Sequence, residues 1–201
     1  MSKKAELLVM SEATSKVRVA NSRVLAGVAL FAALTLILDE VVKVPAPYAS
    51  FLTYEIWEIP IVVAFLLFGT KAGVGVLLIN FVALQVMYPG ALITGPVYNL
   101  SAVLLMLFGL RVATGVTKDK GTRITMATAT GFGIVARTIG MAFLMNVLMP
   151  MPPPVGFAIP PSLLTGFLLL IVIFNATVSL YTIPTAYWLA ETVKLKKVAQ
   201  R

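Results

Sequence analysis

The sequence contains no cysteine and no histidine. Disulfides, Ser-His and Cys-His catalysis and most zinc sites are therefore excluded. We predict no catalytic residue, no metal and no cofactor. An intramembrane enzyme would have to work through carboxylates alone, and it is the least favoured functional class.

Charged residues are also scarce, at 12% of the 201 residues, whereas 59% are hydrophobic and the mean hydropathy is +0.96. Soluble domains carry about 25% charged residues. This composition indicates an integral membrane protein. The net charge of +8 would also suit a nucleic-acid-binding protein, but the distribution of the charges, described below, gives a better explanation.

Six apolar segments follow one another along the chain and predict an all-α integral membrane protein with a bundle of six transmembrane helices over residues 23–192. A polar, basic and mobile arm is expected over residues 1–22, and a basic tail over 193–201. The second segment is short for a bilayer that needs about 20 residues, so we expect a tilted or sheltered helix there. Prolines at 150–154 predict a rigid, extended linker before the last segment. The segments are Val24–Leu38, Pro60–Gly69, Val74–Tyr88, Thr94–Leu110, Ile124–Met149 and Ser162–Leu189.

Six crossings place both termini on one side of the membrane. Fourteen of the 16 lysines and arginines fall on that side; the other two are Lys43, on the opposite side, and Arg137, inside the fifth segment. The positive-inside rule then makes both termini cytoplasmic in a multi-pass protein of the cell membrane. The basicity reflects this topology within the lipid bilayer, and no nucleic-acid partner is expected.

The stretch Tyr54–Pro60 places Glu55, Trp57 and Glu58 immediately before the second apolar segment. Two carboxylates three residues apart share one face of a helix, and they complement the positive end of its macrodipole. They are either capping groups at the water interface or ligand contacts. With Asp39 and Glu40, they form an acidic and aromatic cluster on the outer side, which is typical of the mouth of a cavity.

Arg137 lies within the fifth apolar segment. A guanidinium near the bilayer centre costs at least about 2.5 kcal/mol, so it should face the bundle interior and find a partner. Glu58 and Glu55 are the first candidates, because the short second segment brings them inward. The pair is either structural or part of a ligand site.

Amides recur in segments three to six, where each one alone commonly joins two helices. Several of them, together with Arg137 and aromatic side chains, have the composition of a pocket for a flat, partly polar molecule. The predicted substrate-binding residues are Tyr48, Tyr54, Glu55, Trp57, Glu58, Asn80, Tyr98, Asn99, Arg137, Asn146 and Asn175.

A stripe of small residues marks the first apolar segment. Ser22, Ala26, Ala29 and Ala33 recur at spacings of four, three and four. Such a stripe lets another helix approach closely. The second helix belongs either to this chain or to a separate membrane subunit.

Four features between Ala26 and Gly109 carry a resemblance to a known family. They are the acid-x-x-acid-hydrophobic-Pro pattern ending at Pro60, the Phe-Gly-x-x-Ala-Gly pattern at residues 68–73, Gly95 with Asn99, and Ala29-x-x-x-Ala33. The chain resembles the substrate-binding S components of energy-coupling factor (ECF) vitamin transporters, and within them the riboflavin-type members.

This resemblance implies a passive receptor that captures riboflavin or a similar vitamin from outside, under the loop between segments one and two. The vitamin would be delivered through association with a transmembrane T component and two ATPase subunits. Glu55, Glu58 and Asn99 would then stand near the ligand. Ala26, Ala29 and Ala33 would form the partner interface with the T component.

A stand-alone secondary carrier or channel for a small organic solute is the alternative, with Arg137 and the acids as an ion relay. Two homologous halves would favour that class. No convincing repeat relates residues 24–110 to 124–190. Solute flux into vesicles that contain this polypeptide alone would distinguish such a carrier from the receptor.

Overall fold

The computed structural model describes the backbone of residues 3–88, 94–118 and 120–199, and the side chains of residues 22–88, 95–118 and 120–194. Six helices and one β-hairpin occur in this part of the chain. They are α1 (Lys3–Val41), β1 (Lys43–Ala46), β2 (Ala49–Glu55), α2 (Glu58–Phe68), α3 (Thr70–Met87), α4 (Thr94–Val116), α5 (Thr122–Leu148) and α6 (Pro161–Ala199).

Five of these helices are long and apolar enough to cross a membrane, and α2 is the shorter apolar exception. The predicted six-helix membrane architecture is therefore confirmed. The helices pack mainly in chain order, with α4 against α5 and α5 against α6, while α2 lies among α1, α3 and α6.

Both terminal helices extend beyond the predicted membrane domain. The α1 backbone is helical from Lys3, where a mobile arm is expected, and α6 continues to Ala199 through the predicted tail. No proline or glycine precedes Gly27, so nothing in the first residues interrupts a helix. The side chains before residue 22 lie outside the described residues, and the boundaries of the arm and tail remain a prediction.

The connection between α1 and α2 is a hairpin, where the sequence predicts a loop. β1 and β2 are antiparallel, with Lys43 opposite Glu55 and Val44 opposite Tyr54, and the register shifts after Pro45. This hairpin is a local exception in an otherwise helical protein. Aromatic and β-branched residues favour the strand β2, whereas Pro45 lacks an amide donor and is tolerated because β1 is an edge strand.

Helix α2 has 11 residues, which is about 16 Å of rise against a hydrocarbon core of about 30 Å. Its side chains from Ile61 to Phe65 are all buried, so the expectation of a sheltered helix is confirmed. Gly69, with φ of 91°, joins α2 directly to α3 in a conformation that favours glycine. The turn between α2 and α3 is thus a single residue.

Two hydrophobic clusters fill the bundle. The larger surrounds α2 and includes the fully buried side chains of Ile61, Val76, Met106 and Ile183. Helices α4 and α5 approach closely beside it, since a Cβ at Gly109 would meet the backbone of Phe132. The smaller cluster joins α4, α5 and α6 and is rich in methionine; it comprises Tyr98, Ala102, Met141, Met145, Met149 and Ile171.

Candidate functional site

Three buried polar side chains meet where α2 begins. Arg137 of α5 makes a bidentate pair with Glu58: Nη1 donates to Oε2, and Nη2 donates to Oε1 at 2.8 Å. Its Nε donates to Oδ1 of Asn175 on α6 at 2.8 Å. The prediction that Arg137 pairs with one of the outer acids is confirmed, and the partner is Glu58.

The pair is enclosed by protein, with Arg137 3% exposed and Glu58 5% exposed. Two buried charges stay together only when their remaining hydrogen-bonding groups are also satisfied. Nη1 of Arg137 additionally contacts the sulfur of Met106, and Nδ2 of Asn175 donates to the carbonyl of Ile171 at 2.9 Å. The network therefore ties α2, α5 and α6 together at membrane depth.

A cavity of about 370 Å³ opens between α4, α5 and α6, beneath β2 and the loop that precedes α6. This volume lies within the range of roughly 300–1,000 Å³ that is usual for small-molecule sites. The wall is mostly aromatic and sulfur-containing. Its apolar residues are Phe51, Leu52, Ala102, Met141, Met145, Met149, Phe157, Ile159, Phe167, Ile171 and Phe174.

Four of the predicted substrate-binding residues line this cavity: Tyr98, Asn99, Arg137 and Asn175. The hydroxyl of Tyr98 donates to the carbonyl of Val155 at 2.6 Å, so it anchors the loop. The amide of Asn99 is exposed and has no hydrogen-bond partner among the described side chains and backbone. It is the polar group of the wall that is free to bind a ligand with both its donor and its acceptor.

The proline-rich loop between α5 and α6 folds back over the cavity, and the prediction of an extended linker is wrong. Backbone amides of Phe157 and Ile159 donate to the carbonyl of Met149 at 3.2 and 3.0 Å. The ring of Phe157 packs at 5.9 Å from that of Tyr98. The proline-rich segment is a compact turn because these backbone hydrogen bonds and the contact with Tyr98 hold its far end.

On the opposite side of the opening, β2 lies against α6. The ring of Tyr54 stacks on Phe174 with 5.2 Å between centroids, and Phe51 packs against Phe167 at 5.7 Å. Phe51 and Phe174 both line the cavity. The hairpin therefore forms part of the wall, and Tyr54 supports a wall residue from behind.

Glu55 lies at the junction of β2 and α2, outside the cavity wall. Nε1 of Trp57 donates to its Oε2 at 2.8 Å, and the hydroxyl of Tyr181 donates to its backbone carbonyl at 2.6 Å. Burial, followed by the nearby Asp39 carboxylate, raises the pKa of Glu55 to about 7, although the Trp57 hydrogen bond and Lys43 oppose the shift. This carboxyl group therefore changes charge near neutral pH.

Four other predicted residues lie away from the cavity wall. Tyr48 hydrogen-bonds Tyr54 within the exposed hairpin, and Trp57 is buried in the larger hydrophobic cluster. Nδ2 of Asn80 donates to Oγ1 of Thr35 at 3.2 Å, joining α3 to α1. Asn146 is exposed on another face of α5. Asn80 therefore joins two helices, which is a common role of amides in membrane segments.

Most of the apolar wall was not predicted from the sequence, although a periodic signal was present. Met141, Met145 and Met149 follow Arg137 at intervals of four, and Phe167 and Ile171 precede Asn175 at the same interval. Residues four apart lie on one helix face. Counting in steps of four from Arg137 along α5 and from Asn175 along α6 would have found the apolar residues of both walls, and it would have excluded Asn146.

Three alanines of the small-residue stripe of α1 are exposed within the part of the chain that the structure describes. Ala26, Ala29 and Ala33 are exposed, whereas Ala32 and Thr35 on another face are buried. Among the described residues, contacts within this chain therefore do not explain why this stripe consists of small residues.

One comparison with solved structures is informative. The chain has the same fold as the solved S component of a bacterial ECF transporter, with a TM-score of 0.67 and 22% sequence identity over 87% of this chain and 99% of the other. No family model and no curated protein matches the chain. The chain is thus a multi-pass membrane protein with the S-component fold.

Proposed function

We propose that this chain, which has the fold of an S component, is the substrate-capture subunit of an ECF-type vitamin importer. It binds riboflavin or a similar vitamin from outside and delivers it together with a T component and two ATPase subunits. It is a transport receptor and not an enzyme. The shared fold and the cavity beneath the hairpin support this proposal.

The cavity is the observation that carries the proposal. Methionines of α5 form one wall, and Phe167 and Phe174 of α6 form another. Thioether sulfur and aromatic rings both make favourable contacts with a flat ring system. Asn99, Arg137 and Asn175 supply the few polar groups that fix the orientation of such a ligand.

Among the predicted residues we assign direct ligand contact to Tyr98, Asn99, Arg137 and Asn175. Glu58 acts through Arg137, and Tyr54 acts through Phe174. Tyr48, Glu55 and Trp57 hold the hairpin and its junction with α2, which determine the shape of the opening.

The T component is proposed to contact the exposed stripe of α1. A close-packed helix contact needs small residues on at least one partner, and Ala26, Ala29 and Ala33 supply them on an exposed face. Energy for uptake comes from the ATPase subunits.

Purification followed by ligand titration tests the receptor role. The isolated protein should carry a yellow flavin or quench the fluorescence of added riboflavin in a saturable manner. A colourless preparation that binds another vitamin instead would reassign the substrate and keep the mechanism. If none of the vitamins tested binds to the protein in a saturable manner, the proposal is contradicted.

A stand-alone carrier remains the second candidate because Glu55, with its pKa of about 7, titrates in the range that a proton-coupled carrier uses. Reconstituted vesicles separate the two functions. The receptor predicts riboflavin uptake only when the T component, the ATPase subunits and ATP are present. Uptake by this polypeptide alone, driven by a pH gradient, would establish the carrier.

A further inference from the structure

The innermost wall of the cavity has an unusual balance of hydrogen-bonding groups. Arg137 has five N–H donors; Nε donates to Asn175, Nη1 to Glu58 and toward Met106, and Nη2 to Glu58. One N–H of Nη2 therefore remains available. Asn175 likewise donates one of its two amide hydrogens to Ile171 and keeps the other.

The acceptors of the same group are already occupied. Oδ1 of Asn175 accepts from Arg137, and both carboxylate oxygens of Glu58 accept from the guanidinium. Arg137 and Asn175 line the cavity, whereas Glu58 does not. The inner wall thus offers donors to a ligand, while its side-chain oxygens already accept hydrogen bonds.

The wall is also electrically balanced. The positive charge of Arg137 lies against the carboxylate of Glu58 in a bidentate pair within protein. An anionic ligand would have to compete with this carboxylate for the guanidinium, and removing one partner of a buried pair is strongly unfavourable. On this inner wall a cationic ligand would meet donors and no free side-chain acceptor, since the free acceptor of Asn99 belongs to α4.

We propose that the Glu58–Arg137–Asn175 group makes this cavity selective for uncharged heteroaromatic ligands that present an acceptor edge, of carbonyl oxygens and ring nitrogens, to α5 and α6. The inference rests on the proposed function and names the substrate class of that site. Glu58 is a positioning residue in this scheme, because it neutralises and orients Arg137 without touching the ligand.

The double variant Glu58→Met/Arg137→Met tests the donor role. Replacing a buried ion pair by apolar residues of similar volume commonly leaves a protein folded. We expect a folded protein whose affinity for riboflavin falls at least tenfold. A purely structural pair predicts unchanged riboflavin binding by this variant, and that result would overturn the inference.

The single variant Glu58→Gln tests the charge balance. It keeps the shape of residue 58 but leaves the charge of Arg137 uncompensated, so binding of nicotinate, a heteroaromatic ring with its negative charge on the edge, should rise at least tenfold relative to its uncharged analogue nicotinamide. An unchanged ratio would overturn the inference. Should this variant fail to fold, the double variant decides.

Titration of the unaltered protein comes first and separates the receptor function from the selectivity of the inner wall. Saturable riboflavin binding by the unaltered protein together with full binding by the double variant removes the inference and leaves the receptor function standing. No riboflavin binding by the unaltered protein removes riboflavin as the substrate, and the inference falls with it.

Discussion

The two halves of the bundle differ in how they are filled. Around α2 the side chains of Ile61, Val76, Met106 and Ile183 are completely buried, and the helices pack into a closed core. Toward their outer ends, α4, α5 and α6 enclose a cavity of about 370 Å³. One chain thus combines a closed half with an open half.

The length of α2 explains the difference. This helix of 11 residues crosses only about half of the hydrocarbon core. The hairpin precedes this helix in the chain, and its residues Phe51 and Leu52 line the cavity. A helix too short to span therefore creates a space that a ligand can use.

The Glu58–Arg137 pair marks the boundary between the two halves, and removing one charge there should have the largest effect. We expect Glu58→Leu to destabilise the protein by about 3–5 kcal/mol, because Arg137 is left buried and unpaired. The measurement is the free energy of unfolding in detergent. The matched control is Glu40→Gln, since Glu40 is 50% exposed and its pair with Lys43 is screened by solvent, so its loss should be far smaller. Equal losses in both variants would contradict the boundary role.

Truncation within the two halves should give unequal losses. Ile61→Ala removes a fully buried side chain and should cost about 2–5 kcal/mol, since the closed half cannot collapse onto the new space. Met145→Ala only enlarges an existing cavity and should cost less than half as much. Denaturant unfolding of both variants measures the contrast. A larger loss for Met145→Ala would mean that the outer half is not open in the folded protein.

The smallest expected effect is the pH dependence of the hairpin junction. The pKa of Glu55 is raised from 4.5 to about 7 by burial and by Asp39. A carboxyl group with a raised pKa holds its proton more tightly in the folded state, so stability is full below about pH 4.5 and is lost as the pH rises through about 7. Melting temperatures between pH 5 and 8 should therefore decline.

Glu55→Gln should flatten this decline, because the amide cannot ionise. A matched change at the exposed Glu40 should leave the slope unchanged. An identical slope in the unaltered protein and in Glu55→Gln would assign the pH dependence to another group.

Much of the fold was predictable from the sequence, since runs of apolar residues and the distribution of basic residues depend on the bilayer and not on tertiary contacts. The short α2 and the burial of Arg137 followed from length and from the cost of an isolated charge. The hairpin was not predictable in this way. Pro45 and Pro47 obscure its alternation, and its stability depends on the contacts of Tyr54 and Phe51 with α6.

The candidate site was predictable in its polar part only. Arg137 and Asn175 stood out because polar groups are rare in membrane segments. The methionines and phenylalanines of the wall did not, because apolar side chains that line a cavity have the same local pattern as those that fill a core. Asn80 and Asn146 do not line the cavity, since an amide in a membrane helix serves equally to join helices or to face outward.

The most direct test of the account compares two amides of the same type at the two positions that the cavity distinguishes. Asn99 lines the cavity, whereas Asn146 lies on an exposed face of α5 outside it. We predict that Asn99→Ala weakens riboflavin binding at least tenfold, as measured by quenching of flavin fluorescence, while Asn146→Ala binds like the unaltered protein. Loss of binding in Asn146→Ala with full binding in Asn99→Ala would show that the cavity between α4, α5 and α6 is not the capture site.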